Sequence, residues 1–348
     1  MTERTRVGIL GATGMVGQHF VSLLEDHPWF ELTWLAASER SAGKRYGEMP
    51  WRLAGNTPSY AANLPIHTLE VVDEAPPLLF SALDSSVAGD AETAFARAGR
   101  LVVSNARNHR MDPLVPLLIP EVNPDHLKLI PLQQESKNWK GAIVTNPNCA
   151  TVVLAMALAP LRQFGINKVC VTTMQAVSGA GYPGVASLDI LGNIIPFIGG
   201  GEEEKIETET LKILGADGGR SRLNAVISAQ VNRVPVIDGH TMTVSVQLLT
   251  GPSVDDVVTA MRTFSGQPQA LKLPTAPAPP IVVMTAENRP QPRLDAGLGD
   301  GMTTTVGRVR TCPVLTHKFV ALSHNTIRGA AGASILNAEL MKAQGLLN

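Results

Sequence analysis

The chain reads as an α/β protein in two parts: a doubly wound parallel sheet first, then an α+β domain with a mixed sheet. Three observations predict this. Up to Cys149, short apolar runs alternate with helix-like amphipathic runs. A glycine-rich turn, GATGMVG, joins the first apolar run to the first helix. Beyond Cys149 the pattern changes to period-two stretches such as TMTVSVQL, with few helices between them.

Taken in order, residues 7–10 form a short buried strand, 15–25 an amphipathic helix and 31–37 a second strand, completing a βαβ unit. Residues 78–83 and 101–104 are further strands, with a helix at 88–98 between them. Residues 142–145 make the last strand of this part, and Cys149 opens a helix running over 150–163. In the second part, 168–176, 225–232 and 241–249 are strands, while 202–214 and 254–264 are helices. The proline-rich LPTAPAPP is an ordered surface connection, and a last helix at 329–343 returns to the first domain. The expected domains are therefore 1–148 with 325–348, and 149–324.

Length and composition agree with this. A chain of 348 residues exceeds one ordinary core, and 44% apolar against 17% charged residues fits a globular protein with a large interior. With 29 basic and 30 acidic residues, the chain has no electrostatic reason to seek nucleic acid or an anionic membrane. The N-terminal stretch lacks the apolar core of a signal peptide, and no window approaches the roughly 20 apolar residues of a membrane span. Three scattered cysteines argue against a disulfide framework. The expectation is a cytoplasmic protein with free thiols and no metal site.

Gly11, Gly14 and Gly17 stand in the order G-x-x-G-x-x-G, directly after a strand and before a helix. Such a turn lets backbone N–H groups approach a phosphate, and the helix N-terminus adds partial positive charge. Gly11, Thr13, Gly14, Met15 and Val16 are the candidate phosphate contacts. The spacing differs from the common G-x-G-x-x-G, so a tight turn without ligand is the competing reading. After the second strand, AASERSAGK places Ser38, Arg40 and Ser41 where a 2′-phosphate would lie, which favours NADP over NAD; the nearby Glu39 weakens that preference.

NPNCAT sets Cys149 at a strand-to-helix junction, where the helix N-terminus would favour a thiolate. Asn146, Pro147 and Asn148 form a stiff polar lead that could fix the thiol's direction. On position alone, a small core residue is the better account of Cys149. A nucleophilic cysteine needs an acid/base partner. His240 sits at a turn mouth before a strand, whereas His19, His27, His67 and His126 lie in surface-like contexts.

The segments GILGATGMVGQ, AASERSAGK, SNARNHRMD, NPNCAT, TMQAVSGAG, GGGEEEK, NRVPVIDGHT and HNTIRGAAGASILNAE, in this order over nearly the whole chain, resemble the aspartate-semialdehyde dehydrogenases of the archaeal and fungal branch. The resemblance implies a Rossmann-type NADP domain and a catalytic and dimerisation domain like that of glyceraldehyde-3-phosphate dehydrogenase. It implies NADPH-dependent reduction of L-aspartyl-4-phosphate to L-aspartate-4-semialdehyde and phosphate, on the route to lysine, threonine and methionine. Cys149 matches the nucleophile, His240 the acid/base, and Gln175 the glutamine that orients the acyl group. Arg233 matches the arginine for the substrate carboxylate; Asn108 and Arg110 match the phosphate-binding segment. Glu202 and Lys205 match the pair for the amine and the phosphate, with the triple glutamate leaving the register open by one. Ser178, Gly179 and Asn325 would border the nicotinamide. A homodimer or homotetramer is implied.

Malonyl-CoA reductases and N-acetyl-glutamyl-phosphate reductases share this logic with other acyl groups. A non-catalytic dinucleotide sensor is the alternative from another class, although it would not need Cys149 and His240.

Overall fold

The computed structural model of the chain describes residues 4–347. It divides into two compact units. The first comprises the described residues up to Leu118, with His126–Asn146 and the described residues from Ala330 on; the second comprises Ile119–Asp125 and Pro147–Gly329.

The first unit runs β1 (Thr5–Leu10), α1 (Met15–Leu23), β2 (Phe30–Ala36), the one-turn α2 (Ser59–Ala62), β3 (Ile66–His67), β4 (Leu78–Ser81), α3 (Ser85–Arg97), β5 (Leu101–Ser104), α4 (Leu129–Lys137) and β6 (Ala142–Thr145). All pairings are parallel, in the order β3-β2-β1-β4-β5-β6. Strand order reverses direction beside β1, and in such sheets ligands collect at the carboxyl ends next to that point. The strands are buried on both faces, as their unbroken apolar runs require. Leu10, Trp34, Leu79, Phe95, Val102 and Ile143 share one core cluster. α3 starts three residues before the predicted 88 because Asp84 caps it, its carboxylate accepting from Ser86 N at 2.9 Å.

The second unit runs α5 (Cys149–Leu158), β7 (Ile166–Gln175), α6 (Ser187–Ile190), α7 (Glu202–Ile213), β8 (Val226–Arg233), β9 (His240–Leu248), α8 (Val254–Thr263), α9 (Gln267–Ala270), β10 (Ile281–Val283), α10 (Pro292–Asp295), β11 (Thr304–Thr311) and β12 (His317–Ser323). Its sheet order is β10-β11-β12-β9-β7-β8. The sheet is mixed: β7 runs parallel to β8 and antiparallel to β9. The helix expected over 150–163 ends its α segment at Leu158 and continues as a 3₁₀ turn, Ala159–Phe164. Pro160 lacks the N–H that an α-helix needs there. Every residue of α5 after Cys149 is buried. The chain then returns to the first unit as α11 (Gly332–Ala343), preceded by a π-helical turn at Ile327–Ala331.

Two histidines depart from their surface-like expectation. His27 is buried in the first unit; its Nε2 lies 2.9 Å from Glu339 on α11, and its Nδ1 accepts from Trp29 N and Phe30 N. His126 is buried as well. For His27, the carboxylate that meets its ring lies 312 residues away, which no local pattern announces. Among the described residues, no helix is long and apolar enough to cross a membrane.

Candidate active site

Asn148 is the N-cap of α5. Its side-chain oxygen accepts from Ala150 N at 2.9 Å and Thr151 N at 3.2 Å. Cys149 is therefore the first helical residue, with its thiol at the positive end of the helix, where a thiolate is favoured. Gly329 lies against it: a Cβ there would sit 2.6 Å from Cys149 Cβ.

His240 begins β9 and is fully buried, its Nε2 3.2 Å from Cys149 Sγ. Its other nitrogen, Nδ1, accepts from Ala176 N at 3.1 Å. A nitrogen that accepts a backbone N–H carries no proton, so neutral His240 carries its hydrogen on Nε2, facing the sulfur. Burial, with Arg233 and His324 adding repulsion, pushes the His240 pKa down to about 3. The resting imidazole is neutral.

Gln175 and Arg233 end β7 and β8 in register with each other. Arg233 Nη1 donates to Ala176 O at 2.7 Å, so one residue, Ala176, is held by its carbonyl to Arg233 and by its N–H to His240. Burial lowers the Arg233 guanidinium pKa, while Cys149 and Glu202 oppose that shift. α7 supplies the acid. Glu202 Oε1 accepts from Asn148 Nδ2 at 2.9 Å and from Gln175 Nε2 at 3.2 Å, and Lys205 Nζ lies 3.2 Å from Oε2. Of the three glutamates, Glu202 points into this cluster, Glu203 accepts from Val231 N, and Glu204 is exposed. Asn325 donates to Ser178 Oγ at 2.8 Å and accepts from Gly239 N. A Cβ at Gly179 would meet Arg233 and His240 at 2.9 Å.

In the first unit, Gly11 adopts φ +82°, where a side chain would press on Ala82 O at 2.7 Å, and a Cβ at Gly17 would overlap the Gly11 carbonyl. No side chain caps the first turn of α1, which also holds no acidic residue. The amides of Thr13, Met15 and Val16 around Gly14 thus present a turn that suits a pyrophosphate. Ser38 and Arg40 are exposed just past β2, and Ser41 N donates to Ser38 O at 2.9 Å in a tight turn. This set fits a dinucleotide with an added 2′-phosphate. Arg110 is buried and donates to Asn105 O at 2.6 Å; Asn108 is exposed and donates to Ser85 O at 3.0 Å. Below that loop, buried Glu92 accepts from Ser104 Oγ at 2.7 Å, and burial raises its carboxyl pKa.

Of the residues singled out from sequence, the second unit brings together Cys149, Gln175, Glu202, Lys205, Arg233 and His240, with Ser178 and Asn325 linked to each other. Sequence reading missed Glu209, His324, Gly329 and Glu92. His324 and Gly329 lie inside the segment HNTIRGAAGASILNAE without having been singled out, while Glu209 and Glu92 meet partners 61 and 12 residues away that no local spacing announces. Among the described residues, no group of three or more His, Cys, Asp or Glu could hold a metal ion.

Two family models match: the semialdehyde dehydrogenase NAD binding domain over residues 6–130, and the semialdehyde dehydrogenase dimerisation domain over residues 158–328. The chain belongs to the semialdehyde dehydrogenase family. The aspartate-semialdehyde dehydrogenase of Archaeoglobus fulgidus is 50% identical over 341 residues, covering 97% of this chain and 98% of that protein. The crystal structure of the Candida albicans aspartate semialdehyde dehydrogenase with NADP superposes with a TM-score of 0.90 at 42% identity, covering 98% of this chain and 99% of that one. A malonyl CoA reductase (NADP) of Metallosphaera sedula is 41% identical over 360 residues, covering 100% of this chain and 99% of that protein. The family's two domains correspond to the parallel sheet and the mixed sheet described above.

Proposed function

We propose that this member of the family is an aspartate-semialdehyde dehydrogenase that reduces L-aspartyl-4-phosphate to L-aspartate-4-semialdehyde and phosphate with NADPH. The observation that carries the reading is the approach of Cys149 Sγ to within 3.2 Å of an imidazole whose other nitrogen is already occupied by a backbone N–H. Cys149 attacks the acyl carbon, a C–S bond forms, and the C–O bond to phosphate breaks with its electron pair leaving on phosphate. When bound, NADPH supplies the hydride that reduces the resulting thioester. His240 donates its Nε2–H as a hydrogen bond toward the oxygen that becomes anionic, where a donor held ready is most effective. The C–S bond then breaks, its electrons return to Sγ, and the aldehyde leaves.

Buried charge supports the substrate assignment. Within the second unit, Arg233 takes the carboxylate, Glu202 takes the amine by exchanging its present donors, and Lys205, released from Glu202, takes the phosphate; in the first unit, Arg110 and Asn108 offer donors that suit a phosphate. Gln175 orients the acyl group. Gly11, Thr13, Gly14, Met15 and Val16 hold the pyrophosphate, Ser38, Arg40 and Ser41 the 2′-phosphate, and Ser178, Gly179 and Asn325 border the nicotinamide. A CoA thioester would have no partner for Glu202. Initial rates test this: aspartate semialdehyde, phosphate and NADP should turn over, and activity with malonyl-CoA and NADPH alone would overturn it.

The chain assembles as a homodimer or homotetramer through its second unit. Leu188 is 92% and Phe197 70% exposed there, which favours a covered surface. Its three free cysteines suit the reducing cytoplasm.

A further inference from the structure

Glu209 lies on α7, about two turns beyond Glu202 and on the same face. It is 2% exposed, and its Oε2 accepts from Asn148 N at 2.7 Å. The two carboxylates together grip one residue: Glu202 takes the Asn148 side-chain N–H, and Glu209 takes its backbone N–H. Asn148 in turn holds the first amides of α5 with its side-chain oxygen, and its carbonyl accepts from Val152 N at 3.0 Å. The preceding residue, Pro147, has a fixed φ and no N–H. Every polar group of Asn148 is thus engaged, and rotation about its ψ would swing Cys149 away from His240.

We propose that Glu209 is a positioning residue for the nucleophile: through the Asn148 N–H it fixes the turn that aims Cys149 Sγ at His240 Nε2. This rests on Cys149 being the nucleophile. Glu209 does not reach substrate; it acts through the peptide before Cys149. The distance of its hydrogen bond and the absence of solvent around it make the contact geometric rather than adaptable. A carboxylate reached from the far end of a helix can hold that N–H only if its side chain has the full length of glutamate.

The test uses the full chain and three variants: Glu209→Gln, Glu209→Asp and Glu209→Leu. Readouts are kcat and KM in the aldehyde direction, thermal melting, and the pH profile of iodoacetamide alkylation of Cys149. Alkylation is resolved by peptide mass, because Cys170 is exposed and Cys149 only half-buried. Glu209→Gln keeps an oxygen acceptor at the same reach and should hold kcat within about threefold. Glu209→Leu and Glu209→Asp should each lose at least tenfold in kcat with KM within about twofold. In both, the midpoint of the Cys149 alkylation profile should move by more than half a pH unit. If either variant melts lower but keeps the wild-type alkylation profile, Glu209 is structural only and the proposal is overturned. Full activity of Glu209→Asp would overturn it as well, which keeps the test decisive should Glu209→Leu fail to fold. Loss of activity in Cys149→Ser tests the nucleophile separately, so the two failures are distinguishable.

Discussion

Titrating His240 is the sharpest test of the site's electrostatics. Its pKa is pushed from 6.5 down to about 3 by burial first, then by Arg233 and His324. A drop of that size sets the imidazolium roughly 5 kcal/mol above its solution reference. At neutral pH only about one molecule in ten thousand would carry charge on this ring. Histidine-selective ¹⁵N NMR reads both consequences: a neutral Nε2–H tautomer, and no titration of His240 between pH 5 and 8, with His240→Asn supplying the assignment. The sign for stability follows. The unfolded ring binds a proton below about 6.5 while the folded ring resists it, so stability present above 6.5 is lost on acidification. The loss runs at up to about 1.4 kcal/mol per pH unit until the folded value near 3 is reached. His109, His317 and His324 shift the same way through burial, so the wild type must be compared with His240→Asn. A His240 midpoint near 6.5, or the Nδ1–H tautomer, would refute the resting state drawn above.

Other outcomes follow from single contacts. Cys149→Ser should lose at least about a thousandfold in kcat with little change in melting temperature, since the swap is nearly isosteric; steady-state rates and calorimetry check both. Gly329→Ala forces a methyl to 2.6 Å from Cys149 Cβ and should cost roughly 1–3 kcal/mol by denaturant unfolding, with reduced kcat. Unchanged values would mean the π-helical turn gives way freely. Arg328 and Glu121 form a bidentate, fully buried pair at 2.8 Å, so Arg328→Met strands Glu121 and should cost roughly 3–5 kcal/mol. Adding Glu121→Leu should recover much of that loss, which a two-variant unfolding series measures.

Much of the first unit was legible because its strands are buried on both faces and so appear as plain apolar runs. The residues 101–104 and 142–145 match β5 and β6 to the residue. Half of the second sheet was not. β10 has three residues beside a proline-rich segment, and β11 (TTVGRVRT) is broken by a register shift between Gly307 and Arg310. Arg308 there takes φ +58°, which no apolar alternation announces. At the site, residues carrying chemistry stood in recognisable segments, but Glu209 did not. Its bond to Asn148 reaches 61 residues away and goes to a backbone N–H that any residue but proline would offer.

The spacing of Arg233 and His240 acquires its meaning only from strand order. β8 and β9 are not neighbours; β7 lies between them. The link from Arg233 to His240 must therefore cross the end of β7, and it does so hydrogen-bonded: Val234 N donates to Gln175 O, and Val177 N and Ser178 N donate to Val236 O and Ile237 O. Because β7 and β8 run parallel while β9 runs back, this one end of the sheet collects two strand ends and one strand start. That brings Gln175, Arg233 and His240 around the backbone of Ala176, whose N–H fixes the imidazole tautomer and whose carbonyl, in the next peptide group, fixes the guanidinium. An all-parallel sheet would send β9's start to the opposite end. The mixed sheet is thus a condition for the chemistry, since it lets a backbone unit orient the acid and the anion binder together.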